Sequence, residues 1–148
     1  YLVGAGRKGV IASRSLASVC CLDVAGIVVR KETVLALPRA ERIRRRREFL
    51  QVQRCGVRTG GRHMMLIGLP NELTRSRLGI LAPKRLGGAV WRNRSKRRVR
   101  ELFRHHKPVL GLDLVVLPRR DFLDVSFDSL ADDYRHTLRR HVRIHRPL

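Results

Sequence analysis

The stretch RNRSKRRVRELFR sets Arg92, Arg94, Lys96, Arg97, Arg98, Arg100 and Arg104 around Val99, Leu102 and Phe103, with Glu101 as its only acid. Guanidinium groups at that density suit the recognition of phosphate oxygens, because each planar fork donates paired hydrogen bonds and stays charged at any working pH. At about 100° per residue, Val99, Leu102 and Phe103 fall on one helical stripe with Ser95 beside them. On the same helix Arg92, Lys96 and Arg100 form one row, and Arg97 and Arg104 form a second row next to it. The apolar stripe gives the helix a seat in a core, so the cations are held in space and can match a folded polyanion. A merely solvated face is the plain alternative, but such faces normally mix signs.

A second basic stretch, RIRRRREFLQVQRCG, places Phe49 and Val52 beside Arg45, Arg46 and Arg47. A partly exposed aromatic ring in a basic groove is a stacking platform for single-stranded nucleic acid. The competing reading is that Phe49 is ordinary core. Trp91 poses the same choice, and packing at the start of its helix is favoured.

Catalytic chemistry has little to build on. Asp121, Asp124, Asp128, Asp132 and Asp133 surround a loop and the first turns of a helix, where carboxylates serve as caps and dipole partners. His141 and His145 share a helical face, but no cysteine or well-placed carboxylate accompanies them, so no metal site is expected. No GxxxxGK[ST] phosphate-loop pattern occurs, and Ser76, Ser95 and Ser129 have no recognisable nucleophile setting. The residues describe a binder, with no catalytic residue of its own.

The whole chain supports that direction. Its 148 residues, 43% of them hydrophobic, suffice for one domain, and 33 Lys and Arg against 12 Asp and Glu give a formal net charge of +21. Nucleic acid is the expected partner, since many dispersed cations gain from counterion release on phosphate. No segment offers the roughly 20 apolar residues of a membrane helix. Cys20, Cys21 and Cys55 form neither a disulfide framework nor a CxxC pair, which suits a cytoplasmic protein.

Residues 1–36 are out of character, being small and apolar without a period. They are expected to be a disordered lead, a targeting segment or, the favoured reading, the product of a start misplaced upstream of Val34 or Leu35. Residues 37–148 are expected to form one nucleic-acid-binding domain. Within it, Pro38 opens a first helix that Gly56 stops. Arg62 to Pro70 and Ser76 to Lys84 read as strands joined in a hairpin, with a further short strand possible at Val57 to Thr59. The arginine-rich helix runs from about Val90 to His106, Leu112 to Pro118 is a buried strand, and Ser126 caps a last helix. The order α-β-β-β-α-β-α makes an α+β two-layer sandwich, a sheet of about four strands with three helices.

These residues carry a resemblance. GLPNELTRSRLGILAPKRLGGAVWRNRSKRRVRELFR is similar to the signature of the bacterial ribonuclease P protein subunit, a Lys-containing turn, Gly, Ala-Val and then Arg-Asn-Arg with Lys-Arg following. Here the matching residues are Lys84, Gly87, Ala89, Val90, Arg92, Asn93, Arg94, Lys96, Arg97 and Arg100. RIRRRREFLQVQRCG resembles the family's first helix and LDLVVLPRR its later strand, so the likeness runs from about Leu37 to Val142. It implies that the arginine-rich helix lies in a left-handed crossover between parallel strands, against the usual hand. It also implies a noncatalytic subunit. A ribonuclease P RNA removes the 5′ leader of precursor tRNA with Mg²⁺ held mainly by RNA, and no obligate protein partner or membrane is involved. On that resemblance Arg92, Asn93, Arg94, Lys96, Arg97 and Arg100 face the catalytic RNA, while Arg45, Arg46, Phe49, Val52, Lys84 and Arg85 take the leader. Gln53 and Arg54 stand where a second aromatic is frequent, and APKR stands where Ser-Lys-Lys is common. A basic structural RNA binder such as a ribosomal protein is the alternative, and a protein-only nuclease is disfavoured by the scarcity of acid.

Overall fold

The computed structural model describes residues 21–22, 27–29, 36–109 and 111–145. The chain forms β1 (Cys21–Leu22), β2 (Ile27–Val29), α1 (Arg46–Cys55), β3 (Val57–Gly60), β4 (Met64–Pro70), β5 (Arg77–Ile80), α2 (Ala89–His105), β6 (His106–Pro108), β7 (Leu112–Pro118) and α3 (Phe127–His145). The main sheet has the order β3-β4-β7-β5, antiparallel except for the β5/β7 pair. The α+β class, the three helices and the four-stranded sheet agree with the sequence reading. The expectations for residues 1–36 fall largely outside the described residues. Of that segment, β1 and β2 join β6 in a small second sheet that the patterning did not suggest.

The strand predicted at Leu112 to Pro118 takes the centre of the main sheet. Leu112, Leu114, Val115 and Val116 are all buried, on both faces, as a strand covered on each side requires. Because β7 pairs with both β4 and β5, the expected β4–β5 hairpin does not form, and α2 carries the crossover between the parallel strands β5 and β7. Val99, Leu102 and Phe103 of α2, with Leu130, Tyr134 and Leu138 of α3, cover one face of this sheet in the larger core. Burial of each such side chain contributes about 1.5 to 3 kcal/mol. On the opposite face α1 lies over β4 and β7 through Val52, Ile67 and Val115.

The first helix starts later than predicted. Pro38 leads into a single 3-10 turn, Arg39–Glu41, and the chain then runs extended, with Arg42 bridged in parallel to Leu78 and the Ile43 N–H donating to the Leu78 carbonyl at 3.0 Å. The open edge of β5 takes the backbone groups that a helix would have used, and in doing so is itself covered. Gly56 ends α1 as expected, because a side chain there would stand 2.3 Å from the Val52 carbonyl oxygen.

Candidate nucleic-acid interface

Helix α2 presents its charges as the periodicity suggests. Ser95, Val99, Leu102 and Phe103 are fully buried, while Asn93, Arg94 and Arg97 are exposed on the outer side and Arg92, Lys96 and Arg100 lie half-buried on one flank. Arg98 behaves differently from its neighbour Arg97. Its Nη1 donates to the carbonyls of Phe122, Leu123 and Val125 at 3.4, 3.3 and 3.1 Å, so it fastens the loop that enters α3. Glu101 is engaged by Arg104 at 3.3 Å and His105 at 3.0 Å. Trp91 packs at the helix entrance, where a side chain on Gly87 would stand 2.8 Å from its ring.

The predicted leader residues divide. Val52 is 1% exposed and belongs to the core beneath α1, which corrects the expectation that it contacts a ligand. Phe49, one helical turn earlier, is half-buried. Gly79 makes room for it, since a Cβ there would stand 2.8 Å from Phe49 Cε2. Phe49 therefore packs one side on the sheet and offers the rest to a cleft. Arg45 and Arg46 are exposed at the N-terminus of α1, and Arg45 borders a basic cleft with Arg39, Arg42, Arg44 and Arg77. Lys84 and Arg85 stand on the exposed turn Lys84–Leu86 beyond the other end of β5, where Arg85 lines a separate depression with Met65, Leu117, Arg119 and Arg120. The sequence reading missed Arg42, Arg77, Arg119 and Arg120. The last two could have been found as the basic pair that follows LDLVVLP.

Arg77 is structural. Its Nε and Nη2 donate to the two Asp113 carboxylate oxygens at 2.8 and 2.5 Å, and its Nη1 meets Glu48 at 3.1 Å. Asn71 completes Asp113 at 2.6 Å. The Asp113 hydrogen bonds raise the pKa of Arg77 against the opposing effect of burial, with Glu48 adding to the rise. This network pins the first turn of α1 to β5 and β7, and with it Phe49. Arg100 is shifted the other way, lowered first by burial and then by the charges of Arg42 and Arg97.

The acids act as local braces. Asp133 accepts the Arg62 and His63 backbone N–H groups at 2.9 and 2.8 Å, and Asp121 meets the His63 ring at 2.6 Å. Among the described residues no three His, Cys, Asp or Glu side chains converge as a metal-ligand set. No described helix is long and apolar enough to cross a membrane.

A family model described as Ribonuclease P matches residues 37–142. The chain is similar to the ribonuclease P protein component of Thermotoga maritima, with 37% identity over 108 residues covering 69% of this chain and 92% of that one. It is also similar to that of Syntrophus aciditrophicus, with 44% identity over 99 residues covering 66% and 83%. The solved ribonuclease P protein from Thermotoga maritima superposes with a TM-score of 0.62 at 36% identity, over 68% of this chain and 96% of the other. The Staphylococcus aureus structure gives 0.61 at 32%, over 68% and 94%.

Proposed function

The chain belongs to the ribonuclease P protein family, as a subunit of that endoribonuclease, and from this premise we propose how its two basic surfaces divide the work. Helix α2 docks on a ribonuclease P RNA through Arg92, Asn93, Arg94, Lys96, Arg97 and Arg100. The α1 side, with Phe49 as the stacking residue and Arg45, Arg46, Lys84 and Arg85 at its two ends, holds the 5′ leader of precursor tRNA. Hydrolysis belongs to the RNA, which also holds the Mg²⁺, and the complex works in the cytoplasm. One observation carries this reading: one fold fixes two cationic surfaces, one on a helix seated in the core and one around a half-exposed aromatic, and among the described residues no acid cluster accompanies either.

What the chain's residues do follows from that placement. The α2 cations neutralise phosphates at fixed spacing, so the free energy of counterion release is gained without ordering the helix on binding. Phe49 adds a π-face that accepts any base, which suits leaders of differing sequence. The two surfaces are separable by mutation. Arg97→Ala weakens binding to the catalytic RNA, whereas Phe49→Ala leaves that binding intact and weakens precursor tRNA more than mature tRNA. Titrations of the assembled enzyme with both tRNAs measure the split, and equal losses for the two tRNAs with Phe49→Ala would return Phe49 to the role of plain core.

A further inference from the structure

The strand that follows the arginine-rich helix takes its partner from the far end of the chain. β6 starts at His106, directly after α2, and its one strand neighbour among the described residues is β2, paired antiparallel as Ile27↔Pro108, Val28↔Lys107 and Val29↔His106. β2 lies outside residues 37–142, the stretch that the family model matches. Its sequence, Ile-Val-Val, favours extended backbone, so the pairing has local support. A second attachment comes from Glu41. Lys107 Nζ reaches both carboxylate oxygens of Glu41, at 2.6 and 2.8 Å, and both side chains are largely buried. Leu37, between these attachments in sequence, is buried in the larger core, and Arg42 just beyond them bridges to Leu78 at the edge of β5. The helix itself ends at the same place, where the His106 N–H donates to the Leu102 carbonyl.

The helix closed off in this way is one that resists closing. α2 carries Arg92, Arg94, Lys96, Arg97, Arg98, Arg100 and Arg104 with Glu101 as its only acid, and their mutual repulsion favours opening until a polyanion neutralises it. A binding surface that is intact for only part of the time loses apparent affinity in proportion to that fraction. We propose that the chain ahead of α1, attached through β2 and Glu41, is a strap that fastens the exit of α2 to the edge of β5, with Glu41 and Lys107 as positioning residues, so that the α2 surface is in place before RNA arrives. The proposal rests on the reading of α2 as the face that meets the catalytic RNA. The strap residues act through α2 and need no contact with RNA of their own.

Amide hydrogen exchange of the full chain without RNA, followed by titration with a bacterial ribonuclease P RNA, tests the strap. β2 is the central strand of its small sheet, so Val28→Pro removes a ladder hydrogen bond on one side or the other, while Val28→Thr keeps the backbone donor and serves as the control. In Val28→Pro the His106 amide, which reports the last bond of α2, is expected to exchange about tenfold faster, with Val115 and Val116 at the centre of the main sheet unchanged. The same protein should bind the RNA about three- to tenfold more weakly, and Val28→Thr should match the unmodified protein in both measurements. Glu41→Gln gives a second reading whose sign separates the strap from charge alone. Removing an acid raises the net positive charge, so phosphate attraction by itself predicts tighter RNA binding. The strap predicts weaker binding together with faster exchange at His106. Unchanged exchange at His106 in Val28→Pro, or RNA affinity that is unchanged or tighter in both variants, would overturn the strap. Failure of the unmodified protein to bind the RNA would instead contradict the reading of α2, and the exchange rates would still decide whether the strap closes the helix.

Discussion

Two adjacent arginines show how much position decides. Arg97 is exposed on the outer row of α2, and Arg98 is spent on three loop carbonyls. Arg97→Ala should flatten the dependence of log K on log salt for RNA binding by about one unit. Arg98→Ala should leave that slope alone and lower stability by about 1 to 3 kcal/mol, since it strips part-buried acceptors of a charged donor. Filter binding across a salt series and urea denaturation separate the two effects. Phe49→Ala should cost about 1 to 3 kcal/mol in precursor binding if the ring stacks on a leader base, read as the difference between precursor and mature tRNA.

Two buried histidines, His106 and His141, bear on the response to acid. His141 is fully buried with its Nδ1 at 2.9 Å from the Thr59 hydroxyl, and burial, then His145, lowers its pKa to about 4. His106 is lowered to about 4 as well, by burial first and then by Arg135 and His105. Both are neutral in the folded protein and take up protons more readily when unfolded. Their contribution to stability is therefore complete above the ordinary histidine pKa of about 6.5 and is lost as pH falls toward 4. Stability from urea denaturation should drop between pH 7 and pH 5 by about 1 to 2 kcal/mol per group. His141→Gln should remove part of that drop, and an unchanged pH profile would show that the ring does not titrate with unfolding.

At the scale of elements, legibility followed the range of the forces. The strand Leu112–Pro118 was located to the residue and α2 to within one residue at each end, because a β-branched run and a helical stripe are local patterns. The start of α1 and the neighbour of β5 were misjudged because both depend on pairing with distant chain, through Arg42 to Leu78 and through β7 to β5. For the same reason nothing in the sequence pattern marked Glu48, Arg77 and Asp113 as one network. Nor did the spacing of Phe49 and Val52 reveal which of them the sheet would cover. Both sit on one face of α1, and only the packed structure puts Val52 over Ile67 and Phe49 over Gly79.

The network makes its own prediction for α1. Arg77→Met would leave Asp113, 6% exposed, with Asn71 as its remaining side-chain partner, and should cost about 3 to 5 kcal/mol. Glu48→Gln keeps the buried pair intact and should cost about 1 kcal/mol or less. Chemical denaturation gives both values. If the Glu48 change proved the costlier, the helix anchor and not the buried pair would dominate.

The whole molecule is organised around a net charge of +21 that its own 12 acids cannot balance. Among the described residues the acids with close partners brace the fold, as Asp113, Asp121 and Asp133 do, and leave the exposed Arg94 and Arg97 of α2 unneutralised. A protein built in this way concentrates positive potential on rigid faces and relies on a polyanion for its counter-charge. The sequence showed this design through composition and the α2 row, while the cleft that gathers Arg42, Phe49, Lys96 and Arg100 became visible only once the fold brought them together.

The most direct measurement is cleavage of labelled precursor tRNA at low Mg²⁺ by the protein alone, by a bacterial ribonuclease P RNA alone, and by the two together. Cleavage at the mature 5′ end in the mixture, with neither part active alone under those conditions, is the expected result. Cleavage at that site by the protein without RNA, or no stimulation despite tight RNA binding, would contradict the role of a noncatalytic subunit.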